Sequence, residues 1–312
     1  MHVLIPYAVS DDPAAKDSLR TLQLPRLQSL LQRLSPEPTR TLPEDSPVSA
    51  HEHLQAQAHG LDPQAPAWAA LRAHEIGLAG AGEQAWAFLT PSHWELGQAR
   101  VTLRDPQALD LREDESRALL VAMQPYFAED GITLHYEQPL RWLARGEPLR
   151  GLATASPERV IGRDVAPFLP ASPLLRRLQN EMQMLLYTHA VTEARAQRGA
   201  LAVNSFWLSG SGALASPPDA AAPPQVMDAL VQPAVRGDWA AWAQAWQALD
   251  MQLAALQQAL AAGEAVTLTL CSELCARHYT AAPRGLLARL RQRLQPARLS
   301  DILVASDPSN RS

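Results

Sequence analysis

Apolar positions along this chain change period several times, and the changes divide it into elements. Residues 2–7 form a short apolar run halted at a turn, as expected of a buried first strand. Residues 24–34 carry leucines at helical spacing, with arginine and glutamine between them. Residues 35–47 are rich in proline and charge and predict a loop. Residues 51–77 read as helix in pieces, broken at Pro63 and Pro66.

A second block opens near Ala85. AWAFLTPSHWELG and ARVTLRDP predict two strands joined at Gly97. Residues 113–129 predict a helix closed at Asp130-Gly131, and ITLHYEQP and LRWLARG two further strands. After a proline-punctuated connection over 164–173, residues 176–212 read as a long amphipathic helix, a stop at Gly199, a strand and a glycine-containing turn, SGSG. ASPPDAAAPPQ has linker composition, residues 226–262 are mostly helical, and VTLTLC predicts a strand. ARHYT and ILVAS are weaker strand patterns around a helix at 285–294. The alternation predicts an α/β protein, with residues 85–205 as an α+β unit carrying its own antiparallel sheet.

The 312 residues are 47% hydrophobic, enough for a substantial core. A formal charge of −5 supplies no basic field, which argues against nucleic acid and anionic membranes as partners. Positive charge is almost all arginine, Lys16 being the only lysine, a pattern read as bacterial compositional bias. The start has no basic leader and no run reaches 18 apolar residues, so a cytoplasmic protein is expected.

Candidate chemistry is sparse. Cys271, Cys275 and His278 are metal ligands by type, but their spacing fits no zinc pattern. His51, His53, His59 and His74 read as loop or surface residues. Trp239, Trp242 and Trp246 lie on one helical stripe, which predicts packing. The strongest constellation is Arg195 with Asn204, Ser205, Trp207 and the SGSG turn, because exposed backbone N–H groups in such a turn suit an anion.

LRWLARGEPL, TASPERVIGRDVAPFLP and HAVTEARAQRGALAVNSFWLSGSG resemble motifs of the archaeal-type cofactor-independent phosphoglycerate mutases, of the alkaline phosphatase superfamily. Arg195, Gly199, Asn204, Trp207, Gly210 and Gly212 occupy matching positions, while Thr192 replaces the family's asparagine and Pro157-Glu158-Arg159 its P-H-D. Across most of its length the chain resembles the RpfE-type bacterial regulatory proteins. The resemblance implies a reduced phosphatase-superfamily sheet from 1–84 and 206–312, with 85–205 as an inserted substrate-domain-like unit.

The resembled enzymes hold two divalent metals with Asp and His and carry the phosphoryl group on a serine. The first metal motif, a D-G pair after the first strand, reads IPYAVSDD here, and D-x-x-G-H-x-G-D reads VQPAVRGD. The last D-H pair falls near Cys271-Ser272-Glu273, and Ser49 in SPVSAHEHL is the candidate serine. The expectation is therefore a catalytically degenerate, mutase-like regulatory protein with no catalytic residues, metal or cofactor. It would hold a small phosphorylated or carboxylated ligand through Arg159, Arg195, Asn204, Trp207, Ser209, Gly210, Ser211 and Gly212. One alternative is an active mutase or phosphatase, its Mn or Zn site relocated to Asp11, Asp12, Glu273 and His278. Another is a protein-interaction module using the tryptophan stripe and the proline-rich loop.

Overall fold

The computed structural model describes residues 1–215, 223–281 and 302–303. In chain order the elements begin with β1 (His2–Ile5), α1 (Pro13–Leu19), α2 (Pro25–Arg33), β2 (Ser35–Pro36), β3 (Arg40–Thr41), α3 (Ala50–Ala58) and α4 (Trp68–Glu75). Next come β4 (Trp86–Ser92), β5 (Trp94–Leu96), β6 (Val101–Leu103), α5 (Glu113–Glu129), β7 (Thr133–Gln138) and β8 (Arg141–Arg145). Then follow α6 (Pro157–Val160), α7 (Pro173–Tyr187), α8 (Ala190–Gln197), β9 (Ser205–Gly212) and β10 (Gln225–Val226). The last are α9 (Val231–Val235), α10 (Trp239–Gln252), α11 (Ala254–Ala261), β11 (Thr267–Cys271) and β12 (Cys275–Thr280). The protein is mixed α/β, with one mixed sheet and separate antiparallel sheets.

Two compact units divide the chain. The first comprises Met1–Glu44, Ser49–Gln55 and the described residues from 223 onward. Its sheet has the order β10-β1-β11-β12-β2, with β3 also on β12. Here β1 runs parallel to β10 and β11, and β12 returns antiparallel. Alternation sorts the two faces. Val3, Ile5, Leu268, Leu270 and Tyr279 enter a large core with Leu27, Leu30, Trp242, Trp246 and Leu256 from the helices. Leu4, Cys271 and Ala276 face the other way, against Ala50, Leu42 and Leu54. Each large side chain buried here contributes roughly 1.5–3 kcal/mol. Trp242 and Trp246 are fully buried and meet edge to face at 6.1 Å, so the stripe serves packing.

Helix α2 is capped from another element. Pro25 opens it, and Leu24 at the N-cap offers no side-chain acceptor. Buried Asp250 of α10 accepts from Leu27 N–H at 2.8 Å and Arg26 N–H at 3.2 Å, satisfying donors that a helix start leaves open.

The second unit comprises Asp45–Val48 and the described residues from 56 to 215. Its antiparallel sheet has the order β7-β8-β4-β9. One face packs on Leu119, Met123 and Phe127 of α5 and on Leu178, Met182 and Leu186 of α7. The other carries Trp86 and Leu143 against Ala69, Ala70 and Ala73 of α4. The expected division at 84/85 and 205/206 is displaced: β9 pairs with β4 from Ser92↔Ser205 to Trp86↔Gly212, and α4 lies on this sheet.

Other expectations change for local reasons. The loop at 35–47 contains β2 and β3, which pair with β12. AWAFLTPSHWELG breaks at His93, whose Nδ1 bonds the Ala202 carbonyl, so β4 and β5 join different sheets. The long helix is two, α7 and α8, with His189 Nδ1 capping the second through Val191 N–H. Ile302 and Leu303 are helical and buried rather than extended. The rest of that run, the helix expected at 285–294 and residues 216–222 of the linker lie outside the described residues.

Candidate functional site

In the first unit, the loops after β1 and β11 meet the start of α3. Val9 N–H donates to Cys271 O at 3.2 Å, and Ala50 N–H to Glu273 O at 2.8 Å. Tyr7 turns the chain out of β1 with φ +52°, a left-handed conformation costly for a residue with a large side chain. Its carbonyl accepts the buried indole N–H of Trp242 at 2.9 Å, which holds the turn in place.

Ser49 is the N-cap of α3 and is fully buried. Its Oγ lies 2.8 Å from His51 Nδ1 and donates to Glu52 Oε2 at 2.8 Å. Ser49 N–H also donates to Glu52 Oε2 at 2.8 Å, and Glu52 N–H returns to Ser49 Oγ at 3.4 Å. The His51 ring leans on Tyr7, centroids 5.7 Å apart. Burial pushes the His51 imidazole below its ordinary range, against the opposing pull of the Glu52 carboxylate.

This geometry permits two things. The reciprocal Ser49–Glu52 pair is a capping box, a device that satisfies the first N–H groups of a helix. The same hydroxyl, between an imidazole and a carboxylate at the positive end of a helix, has the partners of an activated nucleophile facing an anionic group. The S-x-x-E signature was legible in the sequence. The role of His51 was not, because its ring is placed by the turn at Tyr7 rather than by spacing; it sits in a helix and is half-buried, not in a loop.

Cys271 is buried, and burial, reinforced by Cys275, pushes its thiol up to about 12. It is a protonated thiol in apolar surroundings. Among the described residues no three His, Cys, Asp or Glu side chains gather as a metal site. Of the four residues expected in a relocated site, Asp12 caps α1 through Ala14 N–H, and His278 Nδ1 bonds Thr269. Among the described residues the donor set does not fit a divalent metal pair.

The residues expected to hold an anion all lie in the second unit, at separate places and in structural roles. Arg195 is fully buried; it donates to Glu115 at 2.6 Å, to Leu201 O at 2.8 Å and to Leu109 O. Arg159 is buried, donates to Ser46 O at 2.8 Å and lies 5.6 Å from the Phe168 ring. Asn204 brackets the Trp94 backbone, accepting from its N–H at 2.7 Å and donating to its carbonyl at 2.9 Å. Trp207 donates to Ala155 O at 2.8 Å.

The SGSG segment is not a turn. Ser209, Gly210, Ser211 and Gly212 lie within β9, and Ser211 bonds Leu149 O and Thr154 Oγ1. The glycines are required by the helix above them. A Cβ on Gly210, φ +59°, would sit 2.9 Å from Trp68 Cβ, and one on Gly212, φ +144°, 2.9 Å from Ala67 Cβ. They admit the start of α4 onto the strand. The motif similarity at these positions therefore marks close packing.

Fold and site thus define a mixed α/β protein with a serine-centred polar cluster at the ends of parallel strands. In sequence the chain is 25% identical, over 228 residues, to a protein of Geobacter sulfurreducens named as a probable 2,3-bisphosphoglycerate-independent phosphoglycerate mutase. The match takes in 67% of this chain and 55% of that protein, so the chain spans about half the length of the curated relative it matches. It is a distant sequence relationship. The fold overlaps with a cofactor-independent phosphoglycerate mutase from Thermoplasma acidophilum at a TM-score of 0.38 and 13% identity, covering 97% of this chain and 98% of that one. For the PH0037 protein from Pyrococcus horikoshii the TM-score is 0.44 and the identity 10%, covering 90% and 86%. No family model matches the chain. No helix among the described residues is long and apolar enough to cross a membrane.

Proposed function

We propose that this chain is a mutase-like regulatory protein of the RpfE type that has kept the scaffold and given up metal-dependent phosphoryl transfer. The observation that carries the reading is the composition of the strand ends. Where the resembled enzymes hold carboxylates and imidazoles, Tyr7, Ala8 and Val9 follow β1 and Cys271 ends β11, all four buried. Two-metal transfer needs metals that bridge attacking and leaving oxygens, held by carboxylates and imidazoles, and none of these four residues has either group.

Any anionic ligand would have to be met outside the Arg159 and Arg195 positions, whose guanidinium groups are held by internal partners. The test is interconversion of 2- and 3-phosphoglycerate by the purified chain with added Mn or Zn, together with metal analysis after dialysis. The expected result is neither turnover nor stoichiometric metal; turnover abolished by a chelator overturns the proposal.

A second reading is favoured by one observation, the 2.8 Å contacts of Ser49 Oγ with His51 and Glu52. It makes the chain a serine-dependent phosphatase or mutase in which Ser49 takes the phosphoryl group. Mass spectrometry after incubation with 3-phosphoglycerate discriminates: a covalent phosphoryl adduct on Ser49 supports the enzyme, and an unmodified peptide supports the regulatory protein.

A further inference from the structure

On the face of the first sheet opposite its large core, three polar side chains stand in a row across β1, β11 and β12. His2 Nε2 lies 2.9 Å from Thr269 Oγ1, and Thr269 Oγ1 lies 2.9 Å from His278 Nδ1. Register places them there: Thr269 pairs with Leu4 on one side and with His278 on the other, and His2 shares the face of Leu4. Thr269 is fully buried and the imidazoles half-buried. His278 Nε2 is closed to solvent, with no hydrogen-bond partner among the described residues.

A hydroxyl carries one proton. Thr269 can therefore donate to one ring only and must accept an N–H from the other. The row closes when both imidazoles are neutral in complementary tautomers, and it tolerates one added proton. With both rings protonated, each donates to the same oxygen, two cations flank it, and the hydroxyl proton is left without an acceptor in a buried place.

The surrounding charges sharpen this. Burial first, then His278 and the Met1 ammonium, pushes His2 below its ordinary range. Burial and then Arg40 do the same to His278, with Glu37 as the opposing charge. That carboxylate already accepts the Thr280 hydroxyl at 3.1 Å. On its outer side β12 pairs with the two-residue strands β2 and β3.

We propose that the His2–Thr269–His278 row is a proton-operated latch, which ties β12 to β11 and β1 when neutral and lets the β12 edge open when both rings are charged. The sign follows from linkage. The opened strands bind protons more readily than the closed row, so the latch holds fully above the ordinary histidine range and weakens as pH falls through it.

Amide hydrogen exchange on the full chain at pH 7 and pH 5, corrected for intrinsic exchange rates, tests the latch. Protection of β12 is expected to fall at least about tenfold relative to α5 and α7 of the second unit, which carry no histidine, since two linked protons act on one opening. In Thr269→Val and His278→Gln the differential fall shrinks, because burial of whichever rings remain is then uncoupled from the shared hydroxyl. Parallel changes in β12 and in α5 and α7 of the wild type, or a fall undiminished in both variants, overturn the proposal. Should the variants not fold, the ring resonances of wild-type His2 and His278 decide. Coupled titration of the two rings supports the latch, and independent titration in the ordinary histidine range overturns it.

Discussion

The buried arginine cluster of the second unit and the serine cluster of the first are both polar, and they differ in what surrounds them. Arg195 is enclosed by Glu115 and the Leu109 and Leu201 carbonyls, with Arg198 of the same chain segment also 2.7 Å from Glu115. This joins α5 to α8 within a closed interior. Ser49, His51 and Glu52 stand at the ends of parallel strands beside a strained turn at Tyr7. The comparison teaches that the side chains most similar to an enzyme's motif can persist as architecture, while chemistry-bearing groups elsewhere go unmarked.

The largest expected effect breaks the first cluster. Arg195→Ala leaves the Glu115 carboxylate buried with a weakened counter-charge and strands two backbone carbonyls. A loss of about 3–5 kcal/mol is expected, the range for removing one partner of a buried pair. Urea unfolding and exchange protection in α5 and α8 measure it. A stable variant that had merely lost affinity for 3-phosphoglycerate would return Arg195 to a ligand role.

Gly210→Ala probes the other structural motif. Its left-handed backbone costs a residue with a Cβ about 1–2 kcal/mol, and the overlap with Trp68 Cβ at 2.9 Å adds about 1–3 kcal/mol of strain. Thermal unfolding gives the sum. A neutral outcome would mean that α4 does not press on β9. In the first unit, Asp250→Ala removes the acceptor of Arg26 and Leu27 N–H and should cost about 1–3 kcal/mol. Exchange at the first turn of α2 reads it directly.

Acid acts on both units in the same direction but over different ranges. Burial alone would raise the Glu115 carboxyl, but hydrogen bonds from Arg198 and the Arg112 N–H, with the charges of Arg195 and Arg198, hold it below the usual range. Burial likewise opposes, and Arg141 and Arg72 outweigh, at Glu137. Carboxyls held low contribute stability that is complete above their unfolded pKa and lost as pH falls through the folded one. At these two carboxyls the loss should come only below the ordinary carboxylate range, near pH 4, while His135 of β7, which burial and then Arg145 push below its ordinary range, takes a single-proton share from the second unit within the histidine range. Exchange measured from pH 7 to pH 3 separates the two ranges.

Much of this architecture is readable from periodicity. The strand of residues 2–7, the helix at 113–129 and the hairpin at Gly97 recur in the structure because each rests on a local pattern or a turn. The division into units was not readable at its edges, because β9 joins β4 across more than a hundred residues and no local signal specifies that pairing. SGSG was misread for the same reason. Glycine in a strand and glycine in a turn look alike until the neighbour is known, here Trp68 and Ala67. Arg195 was assigned by similarity, and its partner Glu115 lies 80 positions away.

The smallest expected effect sharpens the comparison most. Ser49→Ala removes a cap and should cost about 0.5–2 kcal/mol, since Glu52 can still accept from the backbone N–H of residue 49. Ser49→Asp restores an acceptor for the first turn of α3 but places a second carboxylate beside Glu52. If the serine serves only the helix, Ser49→Asn should recover most of the lost stability, because asparagine caps as well as serine and adds no charge. If the serine has a chemical role, asparagine restores the fold and nothing else, so any phosphoglycerate-dependent signal of the wild type stays absent in a variant of normal stability. Thermal unfolding and the Ser49 adduct assay, run on Ser49→Ala and Ser49→Asn together, separate a cap from a nucleophile. Because His51 packs on Tyr7 through its ring, its placement should survive both substitutions and leave the comparison clean.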